Sequence, residues 1–550
     1  MEKRLVIAIV LSILVLVLWQ AFLVKNPEPA PVRPVAAPVA GPGPAAVEKI
    51  SPASPDKTPA AQAAGQPADL PAVSAKAEEK SAVDTSLYRA EWSNKGGVLT
   101  SWKLRKHKNA AKEDLELVPE SAAKIGRYPF ALWSEDAAFA DAANAAVFKA
   151  TFPAPRLADG EKGEVRFEYA DGRGLKVEKT FLLTGGTYEV GITVRAWQDG
   201  REIEPWILWG PGIGNPSPAE MKQRFSSSTG AAVLAAGKVL RMDERKYKPE
   251  TSAFAFADWA AYEENYFAAL FVLPERTGKA VFLKEVRDGV PSFFLAADRP
   301  EKAFIGPKDI DALKAFGRQA KKIINFGFFG AIAEILLVGL RYIHKSVPNW
   351  GFAIIIMTFF IKIIFFPLTY SSMKSMAKMA ELQPKIKAMR AKYKKAKQDI
   401  QQRRQMNEEM MKLYKEHGVN PAGGCLPMLI QLPVFWGVFR LLVVAVEFRH
   451  SPFMLWIGDL SVKDPYYITP LLMGATQFIQ QKMTPTSADP AQARMMLIMP
   501  VVMTVFFMNF QSGLILYWLT NNVLQIAQQA IMNRMMAKKK GEAHGTRRKD

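Results

Sequence analysis

Lys362 lies within the apolar run FAIIIMTFFIKIIFFPL, about eleven residues from Gly351. An ammonium at mid-depth in a bilayer costs at least about 2.5 kcal/mol, so such a group faces a protein interior or a water-filled recess. Snorkelling to the interface is the alternative. Thr358 stands four residues earlier, on the same helical face. Other polar side chains interrupt later apolar runs: Gln431, then Thr476 and Gln477, then Asn521, Asn522 and Gln525. Asn521 and Gln525 share a helical face. Ordinary interhelical hydrogen bonds, each worth about 0.6 kcal/mol, account for the amides but not for the charge. No acidic residue occurs within the later spans to pair with Lys362. The chemistry these residues suit is non-covalent: a hydrophilic recess that solvates polar groups and draws acidic ones from a passing polypeptide. Arg440, in the outer part of another apolar run, is a second charge anomaly that can snorkel outward more readily and has no assigned role.

Covalent and metal chemistry find little footing. There is one cysteine, Cys425, and five histidines, which give neither an intrachain disulfide nor a metal-ligand set. Glu263 and Glu264 are adjacent, so in a strand they point to opposite sides. Trp206, Trp209 and Trp259 could line a sugar groove, but core or rim packing suits them better. The GPGIGNP stretch from Gly210 carries Pro211 and Pro216, which suit a rigid loop rather than a phosphate cradle opening into a helix. No ATP-binding motif is present. The expectation is a protein that is not an enzyme and has no cofactor.

The elements that position these residues come from patterning. The chain has 550 residues and a net charge of +20, and its near-zero mean hydropathy averages two unlike halves. Residues 5–24 are apolar except for Ser12 and Gln20 and follow Lys3 and Arg4. Twenty such residues, at about 1.5 Å each, match a hydrocarbon core of roughly 30 Å. A cleaved signal peptide is the alternative, but the length and the lack of a small-x-small site favour an uncleaved anchor. The Pro/Ala-rich stretch that follows has almost no aromatic residues and is expected to be a disordered linker. From about Leu87, strand patterns appear at 98–104, 165–169, 175–183, 188–197, 267–273 and 280–286, with turn signals at Asp171-Gly172 and Gly185-Gly186. They predict a mostly antiparallel β sandwich.

Five further spans are expected at about 352–368, 426–446, 467–481, 495–510 and 514–532. Between the first two of these, residues 371–420 carry 13 Lys/Arg against 5 Asp/Glu, which places that loop in the cytoplasm. The run 323–343 is long enough to span but contains Glu334. Counting it would set the basic N-terminus against the basic loop and tail, so it is taken as an amphipathic helix on the outer face. The expected organisation is an anchor (1–24), a linker (25–84), an exterior β sandwich (85–320), an interfacial helix and its connection (321–349), a five-helix core that includes a cytoplasmic hairpin (350–533, hairpin 371–420), and a basic cytoplasmic tail (534–550).

Within the hairpin, helices are expected at 374–396 and 400–416, with a kink or break at Pro384. Met376, Met379, Leu382, Ile386 and Met389 fall on one face, as do Met406, Met410 and Leu413 on the second helix. Two readings stand: these methionines form the hairpin's own seam, or, with Lys385 and Lys387, they contact anionic lipid, ribosomal RNA or an apolar peptide. No base-reading motif supports sequence-specific nucleic-acid binding.

Longer stretches carry a resemblance: SMAKMAELQPKIKAMR (375–390), NPAGGCLPMLIQLPVFWGVF (420–439), FMLWIGDLSVKDPYYITPLLMG (453–474), QFIQQKMTP (477–485) and MPVVMTVFFMNFQSGLILYW (499–518). Together with the anchor, the Pro/Ala tether and the large exterior domain, they resemble the YidC/Oxa family of bacterial inner-membrane protein insertases, in its Gram-negative form. The resemblance implies a five-helix insertase core behind an N-terminal anchor, with both termini cytoplasmic, a periplasmic β sandwich, and a hydrophilic groove open to cytoplasm and lipid. Its partners would be nascent membrane proteins, the ribosome, the Sec translocon and membrane lipids. The family's positive groove residue maps onto Lys362. Many members carry arginine there, so charge is kept but bidentate hydrogen bonding is lost. Groove companions would be Thr358, Gln431, Asn521 and Gln525, with Thr476 and Gln477. A solute transporter or channel is the rival reading, although paired broken-helix repeats are not evident.

Overall fold

The computed structural model describes residues 71–546 except 110, 217–228, 288–289, 394–398, 419–425 and 484–489. The expected anchor, most of the linker and the last four residues of the tail lie outside the described residues.

Residues 80–307 fold into a β-rich domain of three sheets. β1 (Lys80–Asp84), β2 (Tyr88–Ser93), β3 (Val98–Lys108) and β4 (Asp114–Glu116) pair in order. The short helix α1 (Glu120–Ile125), strand β5 (Leu132–Trp133), helix α2 (Ala137–Ala145) and strand β6 (Lys149–Thr151) follow. Next come β7 (Lys162–Ala170), β8 (Lys176–Thr184), β9 (Glu189–Gln198), β10 (Arg201–Ile203), β11 (Trp206–Trp209), β12 (Gly230–Ala235) and β13 (Lys238–Asp243). β14 (Thr251–Ala255), β15 (Ala257–Glu263), β16 (Phe267–Val272), β17 (Lys279–Arg287), β18 (Val290–Asp298) and β19 (Lys302–Pro307) complete the set. The largest sheet runs β13-β12-β15-β16-β19-β9-β8-β7-β6, and the third runs β14-β17-β18-β11-β5. The pairings between these strands are antiparallel.

β8 shows how the sequence builds a sheet. Alternation buries Val177, Phe181 and Leu183 on one face while Glu178 and Thr180 stay partly exposed. Trp92, Phe130 and Phe181 pack against one another at ring separations of 4.6–5.5 Å, and Trp209 and Trp259 are fully buried. Two of the three tryptophans considered for a sugar groove are therefore core residues. The turn after β11 needs glycine at 210. Its φ is +144°, and a Cβ there would meet Phe294 Cδ1 at 2.6 Å and the Phe293 carbonyl oxygen at 2.7 Å.

Two expected boundaries shift. The 25–84 linker is too long at its end, because β1 is paired with β2 from Lys80 onward and Val73 bridges Ala170. Composition marks a tether, but five residues with a paired edge need little apolar content to be ordered. Of the kink or break expected at Pro384, no break occurs: a single helix runs through both Pro367 and Pro384. An interior proline removes one backbone donor, and here Leu382 and Ile386, buried on either side of Pro384, hold the helix in place.

After the β-rich domain come helix α3 (Ile310–Phe316), a short 3₁₀ turn (Ala320–Ile323) and helix α4 (Gly330–Ser346). Helix α5 (Trp350–Lys392) has 43 residues and is followed by α6 (Ile400–Glu416), α7 (Leu426–Val444), α8 (Ile468–Met483), α9 (Pro490–Phe507) and α10 (Ser512–Thr546). Among the described residues, α5 is long and apolar enough by itself to cross a membrane, and the shorter apolar stretches are Gln431–Val444 and Met496–Phe507. Gly474 lets α8 approach α9 closely: a Cβ there would lie 1.9 Å from Thr504 Oγ1, the small-residue contact typical of membrane helices. The outer surface of this bundle is apolar, with Phe359, Ile364, Leu471, Val501 and Val505 each at least half exposed. So much exposed hydrocarbon around packed helices suits lipid rather than water.

Candidate functional site

Three helices bring polar side chains together inside this apolar shell. α5 carries Lys362, which is half-buried, and its Nζ donates to Gln525 Oε1 of α10 at 2.7 Å. One turn earlier on α10, Asn521 Oδ1 accepts from Gln431 Nε2 of α7 at 2.9 Å. Lys362, Gln431, Asn521 and Gln525 thus form a polar layer joining α5, α7 and α10. Among the described residues no carboxylate lies within ion-pair distance of Lys362. Its cationic charge is held by an amide dipole alone, which leaves capacity for an incoming anion.

The other expected groove residues sit elsewhere. Thr358 is fully buried and its hydroxyl donates back to the Ile354 carbonyl of its own helix at 2.6 Å. A threonine within a helix commonly bonds its own preceding turn in this way. Thr476 joins a different seam. Its hydroxyl bonds the Leu472 and Met473 carbonyls at 2.9 and 2.8 Å, and Asn522 Nδ2 reaches the Met473 carbonyl at 3.2 Å. That contact ties α8 to α10. Gln477 Oε1 is buried with no hydrogen-bond partner among the described residues. Asn522, left out of the expected groove set, is nearly as buried as the core. Its position next to Asn521 was the available signal, since neighbours on a helix point about 100° apart and serve different seams.

The hairpin divides its methionines. Leu382 and Ile386 are buried against Met379, Met410, Leu413 and Tyr414, so Met379 and Met410 belong to the seam. Lys392 Nζ and the Tyr393 hydroxyl both reach Glu409 Oε1, at 2.9 and 2.7 Å, which closes the far end. Met376, Met389 and Met406 are half-buried, and Lys385 and Lys387 are exposed.

The β-rich domain is fastened to the bundle through α4. Arg341 reaches Glu447 after α7 with its Nε at 2.8 Å, and Asp309 and Asp311 at α3 at 2.5 and 2.7 Å. Burial raises the Glu447 carboxyl above its usual range while Arg341 opposes that shift. Asn265 Nδ2 donates to the Val443 carbonyl at 3.0 Å.

Comparison with known proteins fits both halves. The family described as YidC periplasmic domain matches residues 80–338, and that described as 60Kd inner membrane protein matches residues 342–540. A membrane protein insertase YidC of Syntrophus aciditrophicus (strain SB) is 38% identical over 557 residues, covering 97% of this chain and 100% of its own. The chain belongs to the YidC family. Another relative, the membrane protein insertase YidC of Geobacter sp. (strain M21), is 39% identical over 470 residues, covering 82% of this chain and 85% of its own. A solved structure, "Active YidC insertase crystal structure with the first transmembrane domain resolved", aligns over 84% of this chain and 94% of that chain at 20% identity, with a TM-score of 0.36. As a YidC-family member, the chain is an inner membrane protein with a periplasmic domain. The two matched regions meet between residues 338 and 342, inside α4, where Arg341 makes the fastening described above.

Proposed function

We propose that the chain inserts nascent membrane proteins into the inner membrane by lowering the cost of carrying their polar segments into the bilayer. The observation that carries this is the polar layer of Lys362, Gln525, Gln431 and Asn521 within a bundle whose outside is hydrocarbon. A polar leader that enters beside Lys362 exchanges water for amide and ammonium groups rather than for lipid, which reduces its desolvation penalty. Its acidic side chains are attracted to the charge. The apolar segment behind it then moves sideways into lipid, driven by about 25 cal/mol per Å² of apolar surface removed from water. No covalent step is involved. Energy comes from partitioning and from the membrane potential acting on the charged leader.

In this reading six helices cross the membrane, an anchor at 1–24 and a five-helix core, with both termini and the hairpin in the cytoplasm and α4 lying in the outer interface. The basic, methionine-bearing hairpin receives the emerging segment from the ribosome, and the bundle works alone or beside the Sec translocon. Thr358 and Thr476 serve packing, which leaves Lys362, Gln525, Gln431 and Asn521 as the groove. The YidC relatives lend the transporter or channel reading no support.

The test is site-specific photocrosslinking from position 362 to a ribosome-stalled nascent membrane protein. Crosslinks are expected while the leader is passing the bundle and should vanish once the segment is released into lipid. Crosslinks to lipid alone at every chain length would refute the proposal.

A further inference from the structure

A cavity of about 500 Å³ opens between the β-rich domain and the start of α4, lined in part by Arg241, Lys321, Lys322, Gly327, Gly330 and Glu334. Its charge is lopsided. Arg241 and Lys308 hold Glu263 at 2.9 and 2.8 Å, and Lys321 and Lys314 hold Glu334 at 2.5 and 3.9 Å. Lys322 is exposed and its Nζ reaches the Gly237 carbonyl at 3.0 Å. Arg440 comes up from α7 behind the cavity, donating one guanidinium nitrogen to the Asn325 carbonyl. Three cations, Arg241, Lys321 and Lys322, therefore line the cavity against one carboxylate, Glu334, with Arg440 behind them; neither Lys322 nor Arg440 has a carboxylate of its own among the described residues.

Two further features strengthen the positive field at the cavity. Arg440 Nε is buried without a hydrogen-bond partner among the described residues, and it adjoins the cavity wall, since a Cβ on Gly327 would stand 3.5 Å from it. A buried charged donor left unsatisfied is costly, and Arg241 lies close enough to repel it. Gly330, also in the wall, is the first residue of the 17-residue α4, whose N-cap Phe329 offers no side-chain cap. The positive end of the helix dipole adds to the same field. Beside the cavity the surface turns apolar: Phe328 is 95% exposed, and Ile335, Val338 and Tyr342 form an outward stripe along α4, exposed by 71, 59 and 77%.

We propose that this cavity binds the phosphate group of an anionic glycerophospholipid of the outer leaflet, with the acyl chains lying against Phe328 and the outward stripe of α4. The phosphate accepts from Lys322 Nζ at the rim and lies between Lys321 and Arg241, while Arg440, enclosed behind the Gly327 wall, adds its charge to the field without touching the ligand. The site would pin the junction of domain and bundle to the membrane surface. It rests on α4 lying in the outer interface, but it is independent of the groove at Lys362.

The experiment uses the full chain in lipid-free detergent, titrated with dihexanoyl phosphatidylglycerol and, separately, with inorganic phosphate, and read by native mass spectrometry and calorimetry. The short-chain lipid is expected to bind one to one, more tightly than phosphate. Lys322→Gln should weaken it about tenfold or more, the loss of one charged hydrogen bond, and Arg440→Gln, which removes a charge behind the wall, should weaken it less. Thermal unfolding checks that each variant is folded. If Arg440→Gln does not fold, Lys322→Gln on the exposed rim carries the test. Unchanged lipid affinity in the folded variants overturns the proposal, and phosphate binding as tightly as the lipid overturns the lipid assignment.

Discussion

Replacing Lys362 with methionine keeps the length of the side chain and removes its charge. In the parent, the ammonium sits 2.7 Å from the Gln525 amide oxygen and faces no carboxylate among the described residues. A leader carboxylate arriving about 5 Å away would gain about 3 kcal/mol at an effective dielectric of about 20. Because Lys362 is half-buried rather than enclosed, water screening cuts this to about 1.5 kcal/mol, or roughly tenfold in rate if the contact is made at the barrier. The assay is insertion into vesicles containing the purified chain, scored by protease protection of two substrates that differ only in Asp or Asn residues in the leader. Lys362→Met should slow the acidic leader about tenfold and the neutral one by less than twofold, while Lys362→Arg should preserve both. An equal loss for the two leaders, or no loss at all, would refute charge attraction as the source of the rate.

Three other outcomes follow from packing and charge. Arg341→Met should loosen the β-rich domain from the bundle by about 3 kcal/mol, since Glu447 and Asp309 lose their shared cation; hydrogen exchange in α4 should quicken, and unchanged exchange would count against the clasp. Gly474→Val should destabilise the bundle by about 1–3 kcal/mol because α8 and α9 must part at Thr504, measured by thermal unfolding in detergent. Lys179, buried in β8, donates to the Gly96, Gly97 and Phe130 carbonyls, and burial pushes its amine down from 10.5 to about 7. The unfolded chain then holds the proton more tightly, so its penalty on folding is full below pH 7 and is relieved as pH rises from 7 towards 10.5. Stability should gain about 2–4 kcal/mol over that window. Urea unfolding of parent and Lys179→Met should diverge there, and parallel pH profiles would sink the assignment.

Much of the architecture can be read from pattern alone. The alternation in LKVEKTFLL locates β8, and long apolar runs with a basic loop between them locate α5 and α7. Elsewhere the residues hide the element. β12 reads GAAVLA and is buried at every position but Ala235, so no alternation marks it. Central strands covered on both faces lose the period of two that betrays a half-exposed strand. Lys179 occupies an inward register position of β8, a readable signal that hydrophobic patterning passes over because lysine counts as polar. In the groove, Lys362 is conspicuous by depth, but its bond to Gln525 joins residues 163 positions apart and needs the bundle to be folded. Thr358 shows the opposite limit: it shares a helical face with Lys362, yet its hydroxyl is already satisfied within its own turn.

The unbroken course of α5 makes the hairpin a lever. Its 43 residues extend about 65 Å at 1.5 Å per residue, and the thirty steps from Lys362 to Lys392 make up about 45 Å of that length. A tilt of about 5° about the level of Lys362 would therefore sweep the far end through about 4 Å. Pro367 lies only five residues beyond Lys362 and deletes a backbone donor, so bending concentrates there. A load applied to the hairpin is delivered next to the charge, and the groove cannot stay still while the tip is pulled.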